Sequence, residues 1–418
     1  MSRKTLIIIL LGMLLVFSGC SPKGEKPIGD NKDQIPGEVV EEPDENTEEE
    51  EEIDQIQKIV DDMTVDEKIG QLFIFGLEGT ELDENVIKAI EENHIGGFIL
   101  FKDNIVNADQ AVKLLNGLKE RNSSNRLPLF LAVDEEGGIV SRLSDIYLDL
   151  PSARTIGNVN DEKISLEYGK VLGERVKELG FNMNFAPVLD VNSNPKNPVI
   201  GKRAFGTEAE AVAKHGLKVM EGINSNNVIS VVKHFPGHGD TSTDSHIGLP
   251  VIDKSLKQME SLELIPFARA IEKDVDAIMV AHILFTQLDK ENPATLSPKV
   301  ITELLREELS FDGVVISDDM TMGAITENYT IEEASYKFLK AGGDILLICH
   351  EYENQIKALN RIKEEVEKGN ISEQELNDKV YRIVKLKMKY ALEDLPVEHY
   401  NVAAVNSHIQ ELLKKINP

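Results

Sequence analysis

From about Ile69 onward the chain repeats one pattern: a short run of consecutive apolar residues, a polar interval, then a stretch whose apolar positions recur every three to four residues. The apolar runs cover residues 71–76, 97–101, 129–134, 183–188, 229–234, 277–282, 314–318 and 344–349, each the length of a strand. Helical spacing marks the intervals at 111–119, 166–179, 209–223, 262–271 and 331–339, followed by a last long helix over 373–392 and a short helical tail over 396–418. Thr64-Val65-Asp66-Glu67 ahead of Ile69 has the form of a capping box, so order is expected to start near Ile56. Runs that are apolar throughout, rather than alternating, suit strands buried on both faces, as in a parallel sheet covered by helices. Eight such units in succession predict an α/β protein with a (β/α)8 barrel over 56–395 as its single catalytic domain. A doubly wound open sheet is the alternative. A nucleotide-binding version of it has no support, because no Gly-x-Gly-x-x-Gly turn follows the first strand and no Walker-type loop occurs.

The first 55 residues break this pattern. Arg3 and Lys4 precede an apolar run from Leu6 to Phe17 and then Ser18-Gly19-Cys20, which predicts a lipoprotein signal peptide over 1–20 with Cys20 as the lipidated residue. The run is shorter than the roughly 20 residues a membrane-spanning helix needs. Residues 21–55 hold Pro22, Pro27, Pro36 and Pro43 and end in an acidic run, with fourteen acidic residues against three lysines. Such a segment reads as a disordered acidic tether kept extended by its own charge. The expected location is therefore extracytoplasmic, on a bacterial membrane, with contact to that membrane through the N-terminal lipid only.

Composition adds two exclusions. A formal net charge of −28 disfavours nucleic-acid phosphates and anionic lipid head groups as partners. Cys349 is the one cysteine besides Cys20, so no disulfide between two mature thiols is expected, and its apolar surroundings in sequence suggest a buried inert thiol. The apolar share of 41% leaves enough material for a large core without such staples.

In a barrel of this kind chemistry gathers where strands end. The polar residues there are Asp134 with Glu135-Glu136-Gly137-Gly138 and Arg142 after the third run, Asp190 and Gly201-Lys202-Arg203 after the fourth, Lys233-His234 after the fifth, His282 after the sixth, and Asp318-Asp319 after the seventh. The stretch from Lys233 to Pro250 carries three glycines and two prolines and must be a shaped loop rather than a helix. Its histidines do not read as a metal site, since His234 and His238 are separated by Pro236-Gly237 and cannot share a helical face; neither metal nor cofactor is expected. Asp244-Ser245-His246 fits a dyad in which a carboxylate orients an imidazole for proton transfer, and it equally fits a histidine pinned in a loop by its neighbour.

Lys233-His234-Phe235-Pro236-Gly237-His238-Gly239, followed by Asp244-Ser245-His246, resembles the signature of the β-N-acetylglucosaminidase branch of glycoside hydrolase family 3. Val133-Asp134-Glu135-Glu136-Gly137-Gly138 and Ile316-Ser317-Asp318-Asp319-Met320 are similar to two further segments of that family, in the same order, so the resemblance runs from about Ile69 to Cys349. It implies that Asp318 is the nucleophile, that His246 is the acid/base with Asp244 as its partner, and that Asp134, Arg142, Arg203, Lys233 and His234 bind sugar. Asp319 is then expected to hydrogen-bond the barrel rim, and His238, Asp190 and His282 to support the site from behind. Ile139 stands where relatives often carry arginine, a change at the rim rather than in the chemistry.

The resemblance implies a retaining exo-β-N-acetylglucosaminidase, acting on a GlcNAc-containing saccharide or muropeptide. The lack of tryptophan favours a pocket for one terminal sugar over a long groove. The same residues permit a phosphorylase, with phosphate in place of water, and a β-glucosidase is the next alternative among enzymes. A non-catalytic sugar-binding lipoprotein is the alternative of another class, although binding alone has no need of a nucleophile. A monomer is expected.

Overall fold

The computed structural model describes residues 55–245 and 248–416. The signal peptide, Cys20, nearly all of the tether and His246 therefore lie outside the described residues. Eight parallel strands form the centre: β1 (Phe73–Gly76), β2 (Gly97–Leu100), β3 (Phe130–Val133), β4 (Met183–Asn184), β5 (Ile229–Phe235), β6 (Ala277–Val280), β7 (Val314–Ser317) and β8 (Leu346–Ile348). Each pairs with its sequence neighbours, β1 pairs with β8, and a bridge between Ile316 and Ile345 closes the ring. The (β/α)8 barrel is the architecture, and the open sheet is excluded by that closure.

Every residue of β1 to β8 is buried, as uninterrupted apolar runs require when helices cover the outside and side chains fill the inside. The helix Val65–Gln71 opens with the anticipated capping box, Thr64 and Glu67 bonding each other's backbone N–H. Five helices expected from periodicity are present as Ala108–Asn122, Glu162–Glu178, Ala209–Asn224, Ile265–Ile271 and Ile331–Lys340. The late helices are Glu373–Lys389 and Val402–Ile416, the second of which packs on Glu162–Glu178.

Among the boundaries that differ from expectation, three have a clear local reason. Gln71 ends a helix instead of starting β1, because the capping box at Thr64 starts a helix that runs two turns. β4 stops at Asn184 because the chain then passes through Pro187, which lacks a ladder donor, and touches β5 again only at the Val188–Lys233 bridge. The helix foreseen at 262–271 starts at Ile265, next to Pro266, which is tolerated only in a first turn. A small parallel pair, Val251–Ile252 with Leu284–Phe285, was not evident from the pattern and ties the end of the long β5 loop to the segment after β6.

Candidate active site

The C-terminal ends of the strands surround a cavity of about 240 Å³, a volume suited to one sugar ring. Met279 and Leu347 from the strands, with Phe185 just after β4, contribute apolar lining, and Asp134, Glu136, Arg142, Arg203, Lys233, His234, Asp318 and Asp319 supply the polar groups. All five residues expected to bind sugar thus face one space with the expected nucleophile. A second cavity of similar size lies at the opposite end, lined by Asp276, Phe311, Arg382 and Lys389. Lys389 and Tyr390 already hold Asp276, and that end carries none of the motif residues.

Charge in the site is arranged as a chain. Lys233 Nζ donates to Asp134 Oδ1 at 2.6 Å and contacts Glu136 Oε1 at 2.7 Å. Arg203 grips Glu136 with two bonds, Nε to Oε2 at 2.8 Å and Nη2 to Oε1 at 2.7 Å, while Arg142 reaches Asp134 at 3.5 Å. Burial alone would raise the Glu136 carboxyl, but Arg203 and Lys233 hold it far below the usual carboxylate range. Burial likewise opposes the charge of Lys233, and Asp134 and Glu136 more than restore it. The result is a set of fixed donors and one shared acceptor, Asp134, whose positions do not depend on a ligand being present.

His234 is held by its other face. Its Nδ1 lies 2.6 Å from Asp190 Oδ2, and Arg203 Nη2 lies 3.3 Å from Nε2. Since the guanidinium can only donate, Nε2 accepts and the proton sits on Nδ1, bonded to Asp190. Asp190 is fully buried and also accepts the backbone N–H of His238 at 2.7 Å. Burial pushes its carboxyl up, and the His234 ring together with the His238 N–H brings it below the ordinary value.

Asp318 directly follows β7 and is half-buried, with its backbone N–H donating to Val280 O on β6 at 3.0 Å. Burial would raise its carboxyl, but His282, His234, the Asp319 N–H and Lys233 hold it below the usual value, so it is ionised near neutrality. Asp319 is otherwise occupied. It takes the Thr321 hydroxyl at 2.7 Å and the N–H groups of Thr321 and Cys349, while its carbonyl meets His282 Nε2 at 2.9 Å. This is the rim-bonding arrangement expected of it.

The loop after β5 is anchored beside the cavity. His238 Nε2 contacts Ser245 Oγ at 3.2 Å, its Nδ1 contacts Thr241 Oγ1 at 2.9 Å, and the Ala324 N–H bonds Ser245 O at 3.1 Å. Burial pushes the His238 ring down to about 4, so it stays neutral and can accept from the Ser245 hydroxyl. Gly239 permits this anchorage, since a side chain there would collide with the backbone of Val191. Asp244, half-buried, precedes the anchor and His246 directly follows it.

Glu136 is the site residue that motif reading quoted but gave no role. Two adjacent glutamates looked interchangeable, yet Glu135 turns into the core toward Arg175 and Ser141 whereas Glu136 faces the cavity. Strand alternation after Asp134 was the available signal.

Comparison with known proteins agrees with this geometry. Residues 64–386 match the Glycosyl hydrolase family 3 N terminal domain. Beta-hexosaminidase A of Pseudoalteromonas piscicida is 34% identical over 352 residues, which cover 78% of this chain and 58% of that protein. The Beta-hexosaminidase of Idiomarina loihiensis is 33% identical over 296 residues, 70% of this chain and 87% of that one. Among solved structures, a glycoside hydrolase family 3 beta-N-acetylglucosaminidase from a Paenibacillus species superimposes with a TM-score of 0.80 at 38% identity, over 84% of this chain and 69% of the other.

Proposed function

The chain belongs to glycosyl hydrolase family 3, and from that premise we propose that it is a retaining exo-β-N-acetylglucosaminidase with Asp318 as nucleophile. The observation that carries the reading is the placement of an ionised Asp318 on a single-sugar cavity that the Asp134, Lys233, Glu136 and Arg203 chain also lines. In the first step the Asp318 carboxylate forms a bond to the anomeric carbon as the glycosidic C–O bond breaks, and His246 gives its proton to the departing oxygen. In the second step the same histidine removes a proton from water, which attacks the anomeric carbon and releases Asp318. The anchor at Ser245 supports this role for its neighbour in sequence, because it holds Ser245 itself on the cavity lining. Asp134, Arg142, Arg203, Lys233 and His234 serve the hydroxyls of the terminal sugar, and the small volume of the cavity favours release of one sugar at a time.

We further propose a lipid anchor at Cys20, an acidic tether over 21–55, and muropeptide fragments as substrates, on the basis of the N-terminal pattern and the beta-hexosaminidases this chain is similar to. The test is turnover of aryl β-GlcNAc and aryl β-glucoside with and without phosphate, with identification of the released sugar. Free GlcNAc from the acetamido substrate, unaffected by phosphate, is expected. Equal use of the glucoside, or a sugar phosphate as product, overturns the reading.

A further inference from the structure

The cavity of about 240 Å³ takes one sugar ring, so whatever that sugar is bonded to lies at its mouth. Among the described residues lining the cavity, His350 alone is exposed, with 62% of its side chain accessible, and this places it at the mouth. Phe101 is half-buried and lines the same cavity. Its ring lies 5.1 Å from the His350 ring at an angle of 31°, close to an offset stack. One face of the imidazole is therefore covered by Phe101, and its exposure falls on the other face and the edge.

Both rings are set in place by their own strand ends. Phe101 directly follows β2, and its N–H donates to Asn104 Oδ1 at 2.7 Å; the Asn104 amide in turn donates to Leu77 O and Gly79 O. His350 follows β8, where the Cys349 N–H bonds Asp319 Oδ1 at 3.1 Å. Between these two strands stands β1, which ends in Gly76. A side chain there would collide with the Cys349 backbone, so glycine lets the end of β8 close in. The next residue, Glu351, has a φ of 63°, a conformation costly for any residue with a side chain. Backbone strain of that kind collects at ligand-binding positions, and here it adjoins the exposed ring.

We propose that Phe101 and His350 form the platform for the leaving group, a subsite for a second pyranose at the mouth of the cavity. The inference rests on the exo-glycosidase reading. A pyranose has a face of C–H groups and a rim of hydroxyls, and the imidazole offers a counterpart to each. Its outer face can stack on the ring. Its edge can bond a hydroxyl, because His350 Nε2 is 3.8 Å from Asp319 Oδ2, beyond hydrogen-bond reach. A purely apolar leaving group would leave that edge unused.

The experiment compares two substrates that leave as unactivated alcohols, methyl β-GlcNAc and the β-1,4-linked GlcNAc disaccharide, on the full chain. If the unaltered protein cleaves neither, the exo-glycosidase reading itself fails, which is a separate result. With turnover established, the disaccharide should have the higher kcat/KM. His350→Ala should lower kcat/KM for the disaccharide about 3- to 10-fold more than for the methyl glycoside, the size of one lost ring contact. His350→Phe, which keeps a ring on Phe101, should recover part of that difference. Equal losses on the two substrates, or a disaccharide preference that survives His350→Ala, overturn the proposal. Should both variants misfold, the ring proton resonances of His350 decide in an Asp318→Asn protein that binds without turnover. A shift on adding the disaccharide that methyl β-GlcNAc does not produce supports the platform, and identical shifts with both ligands contradict it.

Discussion

At the scale of single residues, the site works by removing choices. Glu136 illustrates this, because it binds no sugar in the proposed role yet holds both Lys233 and Arg203 in place. Glu136→Gln should raise KM about 10-fold or more with a smaller fall in kcat, since removing one partner of a buried charge pair leaves the others unpaired and costs ~2–5 kcal/mol. Steady-state kinetics on aryl β-GlcNAc checks it, and an unchanged KM would mean the cations hold their positions alone. The lowered Asp318 carboxyl gives a sign for pH dependence. A group whose folded value is depressed is ionised above that value, so activity should persist below pH ~4, the ordinary carboxylate value, and fall only as pH drops through the depressed one. The kcat/KM profile of the unaltered protein measures this; an acid limb well above pH ~4 would show that Asp318 is not stabilised as an anion. His246→Ala should slow substrates with poor leaving groups by ~10²–10⁴-fold and activated aryl glycosides far less. Asp244→Asn should do the same more weakly, and a flat ratio across leaving groups would remove His246 from proton transfer.

Elements explain why these residues meet. The hairpin of Glu135–Gly137 with Val140–Ser141 sits on β3's end and carries Glu136 toward the cavity, with Gly137 and Gly138 supplying its left-handed turn at φ of 80° and 60°. Its base is fixed by Glu135, which accepts the Ser141 hydroxyl and the N–H groups of Arg142 and Leu143 and lies 3.2 Å from the fully buried Arg175. Arg175→Met leaves Glu135 without its buried countercharge, so a loss of ~3–5 kcal/mol in unfolding free energy is expected, together with a raised KM as the hairpin loosens. Chemical denaturation with parallel kinetics tests both; full stability would place the support of the hairpin elsewhere. The eight strands were legible because doubly buried parallel strands are apolar without interruption, and the helices because their outer faces are polar. The support of the site was less legible. Asp190 was placed behind the site by resemblance, but that it fixes the His234 tautomer depends on Arg203 arriving from a different loop, which no local pattern encodes. The division of labour between Glu135 and Glu136, and the contacts of His282 with Thr295 and the Asp319 carbonyl, are likewise products of packing rather than of sequence spacing.

At the scale of the whole molecule, order among the described residues starts with a helix over 55–61, in which Ile56 and Val60 are buried against the barrel. Removal of residues 1–55 should therefore give a soluble enzyme with unchanged kcat/KM and no membrane association, whereas a cut beyond Val60 removes core contacts and should lower the melting temperature. Membrane fractionation and kinetics of the two truncations check this, and loss of activity on removing 1–55 alone would assign the tether a role in the site. Chemistry at one rim of a closed barrel also means that the proposed function stands or falls on one carboxylate. Mass spectrometry of the protein after reaction with a fluorinated GlcNAc trap tests it most directly: the account predicts one glycosyl group on Asp318, and a label on Asp319, or turnover with no label on either, would contradict it.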